Sequence, residues 1–367
     1  MRILFLGDDH PLLTSGHRAA ALRRLGHEVT VLNPSASLPR SRIVGGLSTR
    51  VGLWPFVPWV DASLRRKIGQ AQFELTWVDC GPELGPGFHR WLRERGMKIV
   101  NYNVDDPFGP RDGHKWDLYR RSVRFHDVTA VVRQENVKEA EDAGARRILH
   151  VFRSYDPVAH APLPLNDEER RAWQSDVIFV GSWMPERGPF MVRLLDAGVP
   201  LTIRGDHWEK APEYERLRSV IRGQAIYGPD YVRAIQCAKV ALGLLSKGNR
   251  DLHTQRSAEV PFIGGAVFCA ERTIEHETLF QDGVDALLWR DSKECAQACA
   301  KLLADEIMRD RMARSARARI VGAGLSNDLI AARILSALQL SESSEGLSQS
   351  MPPFATRVKI RPTDPQR

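Results

Sequence analysis

Short apolar runs rich in β-branched residues alternate along this chain with stretches whose apolar positions recur every three to four residues. The first runs are Arg2–Leu6, Val29–Leu32, Phe73–Val78, Lys98–Tyr102, Val128–Val132 and Ile148–Val151. Between them, Ser15–Leu25, Gly87–Arg95, His114–Arg121 and Glu135–Ala143 carry the helical period. Alternation of this kind predicts a parallel sheet with helices on both faces. It breaks at Tyr155–Asp176, a Pro-rich and charged stretch that suits a linker. It then restarts with strands at Asp176–Val180, Leu201–Arg204, Val240–Leu245, Ala266–Ala270 and Ala286–Trp289. Helices are expected at Pro189–Ala197, Lys293–Ala304 and Asp305–Val321.

The expected organisation is therefore α/β throughout. A first Rossmann-like domain covers 1–155, a linker 156–175 and a second Rossmann-like domain 176–324. A last helix within 325–340 would pack back across the domain joint. From Ser341 onward the chain is Ser-, Glu-, Gln-, Pro- and Arg-rich with few apolar residues, and is expected to be disordered.

Composition narrows the class more than it identifies it. A chain of 367 residues with 43% hydrophobic content can bury two cores. The net charge of +7 and a pI near 9.3 suit phosphate-bearing substrates or an anionic surface. No zinc-finger spacing, basic helix with heptads or aromatic RNP string is present, so nucleic acid is not an expected partner. The five cysteines, Cys80, Cys237, Cys269, Cys295 and Cys299, have no disulfide-framework spacing. Cys295 and Cys299, one helical turn apart, read as packing. The opening MRILFLGDDH has too short an apolar run for a signal peptide, and no run approaches 18 apolar residues. A reducing cytoplasm is the expected location. Ser41–Gln70 combines Trp54, Phe56 and Trp59 with Arg65, Arg66 and Lys67. It suits either a loop that caps the core before a short helix, or peripheral contact with the inner face of a membrane.

Chemistry-bearing residues collect where the strands end. Gly7, Asp8 and His10 follow the first strand, and His17 opens the next helix. The GxGxxG fingerprint is absent, which disfavours a nicotinamide dehydrogenase. Asp105 and Asp106 follow the strand Lys98–Tyr102. Either could take a proton from an acceptor hydroxyl, cap a helix before Pro107, or hold a divalent metal. In the second half, Gly181 and Arg187, then Arg204, then Lys247 place a cation beside a glycine at three successive strand ends. Together these suggest an anion site. Asp251 and Glu259 stand eight positions apart, with Thr254 as a candidate helix cap and Gly264-Gly265 closing the helix. Eight helical residues span roughly 12 Å, about the distance from the sugar to the ribose of a nucleotide-sugar. Pro261 should kink or shorten that helix. Glu275 and His276 follow the strand Ala266–Ala270.

These stretches carry a resemblance. FVGSWMPERG and LLSKGNRDLHTQRSAEVP, with the following AERTIEH, resemble glycosyltransferases of the GT-B fold and, among them, the CgeB-like family. LGDDH, RRLGHEVTVL and NVDDPF in the first half are similar to acceptor domains of that fold. The resemblance implies two Rossmann-like domains facing each other across a cleft, with the donor in the second and the acceptor in the first. It implies that Glu259 holds ribose hydroxyls. Asp251, a shorter acid than the family's usual Glu, stands toward the sugar. Arg187 and Lys247 meet the diphosphate, and no metal or other cofactor is needed. The implied partners are a nucleoside-diphosphate sugar and a hydroxyl acceptor. Two rivals share the architecture: a non-hydrolysing nucleotide-sugar epimerase, which needs no acceptor, and a binding or assembly protein that never releases nucleotide.

Overall fold

A computed structural model describes residues 1–38, 50–339 and 358–360. The chain divides into two compact units, the first comprising 1–152, 248–250 and 327–367, the second 153–247 and 251–326. Each is a parallel sheet with helices around it.

The first unit holds β1 (Arg2–Leu6), β2 (Glu28–Leu32), β3 (Leu75–Asp79), β4 (Lys98–Asn103), β5 (Val128–Val131), β6 (Arg147–His150) and β12 (Val358–Ile360). Their order is β12-β6-β5-β4-β3-β1-β2, parallel except for β12 against β6. The central strands are buried on both faces, which explains their near-continuous apolar sequence. Leu4, Leu6, Val78 and Ile99 pack with Leu64 and Ile68 of the helix Val57–Ile68 and with Phe88 and Leu92 of the helix Pro86–Glu94. The helix Asn327–Ser336 lies in this unit beside Thr14–Arg24, where Arg24 forms a bidentate pair with Asp328 at 2.8 Å.

The second unit holds β7 (Ser175–Val180), β8 (Leu201–Arg204), β9 (Ala238–Gly243), β10 (Val267–Glu271) and β11 (Leu287–Trp289), ordered β11-β10-β9-β7-β8 and all parallel. Its core is Val177, Phe179, Val240, Leu242, Val267 and Cys269 against Met191 and Leu194 of the helix Arg187–Asp196 and Cys295, Cys299 and Leu302 of the helix Ser292–Ala304.

Both sheets have the same wiring. The first strand lies between the second and the third, so the direction of travel reverses between β1 and β3, and again between β7 and β9. Open sheets of this order take ligands beyond the carboxyl ends of the strands at that switch point. The chain therefore comprises two parallel-sheet, Rossmann-like units.

Three expectations need correction and one gains its detail. The stretch 156–175 is not a bare linker: it contains the helix Asp167–Trp173, whose Asn166 and Glu169 form a reciprocal capping box, and it counts with the second unit. The tail supplies β12, because an extended segment can satisfy the exposed edge of β6; the rest of 341–367 lies outside the described residues. The aromatic stretch does contain the expected helix, Val57–Ile68, twelve residues long, and its beginning at 41–49 also lies outside them. The helices Tyr214–Leu217 and Gly228–Gln236 were not expected, since Gly228 and Pro229 mask the start of the second one.

Candidate functional site

The switch point of the second unit is built around Arg187. The helix Arg187–Asp196 opens just beyond β7, but the Arg187 side chain turns inward and is buried. Its guanidinium donates to the carbonyls of Ser182 at 2.8 Å and Leu245 at 3.2 Å, and lies 5.3 Å from the centre of the Phe179 ring. It thus ties the loop after β7 to the loop after β9, the two sides of the switch point. Gly181 sits on the same floor, where its carbonyl accepts from Trp208 Nε1 at 3.0 Å. Arg204, expected at the same edge, donates to the Arg222 carbonyl and stacks on Trp173 at 4.8 Å. Lys247 is the cation left facing solvent, and it pairs with Glu271 at the end of β10. The three expected cations therefore divide into a loop anchor, a stacked side chain and one exposed charge.

Asp251 and Glu259 are not joined by a continuous helix. The helix runs only Arg256–Ile263, with Pro261 inside it, and Thr254 does not cap it. Instead the Thr254 amide donates to Ser257 Oγ at 3.0 Å, and Arg250 takes φ 52°, so 251–255 form a turn. A 12 Å helical spacing between the two acids is thereby ruled out. Gly264 and Gly265 do close the helix; a Cβ on Gly265, at φ 89°, would lie 2.3 Å from the Gln236 carbonyl oxygen.

Each acid has a partner that the sequence spacing does not reveal. Asp251 accepts from the Arg153 guanidinium at 3.2 Å. The Arg153 amide donates to His253 Nε2 at 2.9 Å, which leaves the His253 proton on Nδ1, where it donates to Glu275 at 2.5 Å. Glu275 thus orients His253, and through it the turn that carries Asp251. Glu259 accepts from the Tyr231 hydroxyl at 2.9 Å, with His160 Nε2 at 3.5 Å. The Asp156 amide donates to His160 Nδ1, so the proton on Nε2 faces Glu259. Burial and then the Glu259 charge push the Tyr231 phenol well above its usual range, so it stays a donor. A carboxylate has about four acceptor positions, and these contacts leave Glu259 capacity for further hydroxyls. His276 is fully buried: Nδ1 donates to the Glu271 carbonyl at 2.6 Å and Nε2 accepts from Ser257 Oγ at 2.8 Å. Both nitrogens hold β10 to the helix Arg256–Ile263, so His276 shapes the site from behind. Burial lowers it to about 4, partly offset by the carbonyl bond.

In the first unit, Gly7 and Asp8 follow β1 at the switch point. Asp8 Oδ1 accepts from the His10 amide at 2.8 Å and Oδ2 from Asn33 at 3.2 Å. A Cβ on Gly7 would lie 2.9 Å from Asp79 Cβ, so β1 and β3 need glycine there. His10 is exposed, whereas His17 is buried and its Nε2 bonds the Pro11 carbonyl at 2.9 Å. Arg18, which the spacing did not single out, forms a buried bidentate pair with Asp79 at 2.7 and 2.9 Å and lies over Tyr102.

Asp105 and Asp106 separate cleanly. Asp106 is buried and accepts from the Gly109 amide, Asn136 and both Arg250 Nε and Arg250 Nη2 at 2.7 Å. Burial pushes its carboxyl up, but the Arg250 and Asn136 hydrogen bonds and the Arg250 charge outweigh that and hold it below the usual range. Asp106 is thus engaged by Arg250, Asn136 and the Gly109 amide. Asp105 is half-buried, its amide bonded to Asn103 Oδ1 at 2.9 Å.

Cys269 on β10 joins Cys295 and Cys299, placing three buried thiols within 4.8 Å of one another in the core. Among the described residues no helix is long and apolar enough to cross a membrane.

Residues 187–336 match the family model described as glycosyl transferase-like. No curated protein sequence matches the chain. Among solved structures, sucrose-phosphate synthase from Thermosynechococcus elongatus is similar at TM-score 0.68 and 12% identity, over 92% of this chain and 98% of that one. Anabaena HepE in complex with UDP-glucose is similar at TM-score 0.61 and 14% identity, over 92% and 99%. Trehalose 6-phosphate synthase from Burkholderia multivorans follows at TM-score 0.59 and 12% identity, over 92% and 96%. The chain has the GT-B fold, and the greater part of its second unit matches the model described as glycosyl transferase-like.

Proposed function

We propose that this chain is a metal-independent, hexosyltransferase-type glycosyltransferase, CgeB-like in its second unit, that moves a sugar from a nucleoside diphosphate to a hydroxyl acceptor. The observation that carries the reading is a coincidence of place. The glycosyl transferase-like match covers 187–336, which contains both the switch-point anchor Arg187 and the buried acids Asp251 and Glu259. The HepE complexes with UDP and UDP-glucose make a uridine donor the first to try.

The roles are these. Lys247 meets the departing diphosphate, supported by the amides where the helix Arg187–Asp196 begins. Arg187 holds the loops that shape this anion site. Glu259 accepts from the ribose hydroxyls, and Asp251 faces the sugar. Asp105 takes the proton from the acceptor. Gly7, Asp8 and His10 line the acceptor side.

The test is a thermal-shift panel of UDP, GDP, ADP, CMP and dTDP and their common sugars, on wild type and Glu259→Ala. At 100 times its dissociation constant a ligand adds about 2.7 kcal/mol of stability, which is readily seen. Stabilisation by one base, lost in Glu259→Ala, supports the reading. No stabilisation of folded protein by any nucleotide rejects it. Release of nucleotide only when an acceptor is present, undiminished in EDTA, separates transfer from epimerisation and tests metal independence. Donor turnover without acceptor favours the epimerase.

A further inference from the structure

The first unit carries a surface that the transfer reaction does not use. The helix Val57–Ile68 buries Val60, Ser63, Leu64 and Ile68 against the sheet. Trp59, Ala62 and Arg66, spaced three and four apart, form one stripe on its opposite face, and all three are exposed. Trp59 is 70% exposed, and Trp54, in the turn that leads into the helix, is 38% exposed. Val51 and Pro55 extend the apolar part.

Cations surround these rings. Arg50, Arg66, Lys67 and Arg121 are exposed, and Arg121 lies 4.7 Å from the centre of the Trp54 ring. Arg65 lies over Trp91 at 5.2 Å. Asp61 is the one acid between Arg50 and Lys67, and it sits 3.7 Å from Arg65. Water is a poor environment for a nearly free indole, whereas the headgroup layer of a bilayer suits both its apolar ring and its N–H. Basic side chains beside such rings are drawn to anionic lipid. A nucleic acid would answer the charge but offers nothing to Val51, Pro55 and Ala62.

We propose that Trp54, Trp59, Arg66, Lys67 and Arg121 form a docking face for an anionic bilayer surface, with the two indoles seated in the headgroup layer. This deepens the proposed function by placing the acceptor-side unit at a membrane, and it rests on that reading only for its purpose. The binding itself needs neither donor nor acceptor.

The experiment is co-sedimentation of the full chain with lipid vesicles. One set is phosphatidylcholine alone, and the other contains about 30% phosphatidylglycerol. Binding is expected to the anionic vesicles only, and to fall when salt rises from about 0.1 M to about 0.5 M. Arg66→Ala/Lys67→Ala should weaken it roughly thirtyfold. Trp54→Ser/Trp59→Ser, which keeps every charge, should weaken it at least tenfold. Arg290→Ala/Lys293→Ala, which removes two cations on the second unit, should leave it unchanged. All these side chains are on the surface, so circular dichroism should show native folding in each variant. Absence of binding to anionic vesicles at low salt overturns the proposal. So does binding that the tryptophan pair leaves intact, since charge alone would then account for it. A silent nucleotide panel with intact vesicle binding would reject the transfer reading and leave the docking face standing; the reverse outcome would do the opposite.

Discussion

Asp105 and Asp106 are neighbours in sequence with opposite environments. Their place after a strand was legible, because strand ends face the ligand edge of a parallel sheet. Which of the two is available was not, because Asp106 is claimed by Arg250, 144 positions later. Asp106→Asn should leave Arg250 with half of its carboxylate partners and destabilise the protein by about 2–3 kcal/mol, less than for a fully buried pair because Arg250 is a third exposed. Its carboxyl is held below the usual range, so its stabilisation is present above about pH 4 and lost as pH falls through the folded value. Urea unfolding at neutral and acid pH checks both the loss and its disappearance in acid. Asp105→Asn should act differently: turnover falls at least ~100-fold with donor affinity unchanged, as expected for removal of a general base. Full turnover in Asp105→Asn would remove that role.

At the scale of elements, the segment from Asp251 to Gly265 shows where local pattern stops being informative. The glycine pair after the helix was readable, because a positive φ and a close backbone approach leave glycine as the residue that fits. Gly265→Ala should therefore cost at least about 2 kcal/mol, measured as a lower urea midpoint with unchanged m-value. The start of the helix was not readable. Thr254 has the chemistry of a cap, but Ser257 reaches back to the Thr254 amide, while Thr273 Oγ1 at 2.5 Å holds the Leu252 carbonyl from β10's far end. The Ser257 bond is local but competes with the cap, whereas Thr273 comes from another element that no window of local sequence contains. The same applies to Tyr231 and His160 around Glu259. Tyr231→Phe should weaken donor stabilisation in the thermal-shift assay by less than Glu259→Ala does, since it removes a positioning bond and leaves the carboxylate; an equal effect would make Tyr231 part of the contact itself.

Across the whole molecule, buried neutral histidines couple both units to pH. In the first, His89 donates from Nδ1 to the Gly85 carbonyl at 2.9 Å, and its Nε2 meets His126 Nε2 at 3.3 Å, an arrangement that admits one proton between the rings. Burial lowers His89 to about 4 and His126 well below its ordinary value. In the second, His276 is lowered to about 4. The unfolded chain binds protons near pH 6.5, so it takes up more of them than the folded chain between pH 6.5 and 4. Stability is full above that window and falls through it, by about 2 kcal/mol per histidine at pH 5. His276→Gln should flatten the acid limb, and an unaltered limb would show that the ring titrates normally in the fold.

The sequence by itself determined the fold class, most strand positions and the strand ends at which chemistry gathers. Those properties follow from periodicity and from glycine, and both are local. It also led to a glycosyltransferase reading through motifs in the second half. Tertiary structure decided which charges are free. Arg187, Asp106, Glu275 and His276 carry the residue types of a site, yet each is engaged by groups far away in the chain. Lys247, beside Glu271, and the Trp59 face are turned outward, and Asp105 is half-buried. A side chain's chemistry is written in its own position, but its availability depends on what the rest of the fold brings within hydrogen-bonding distance.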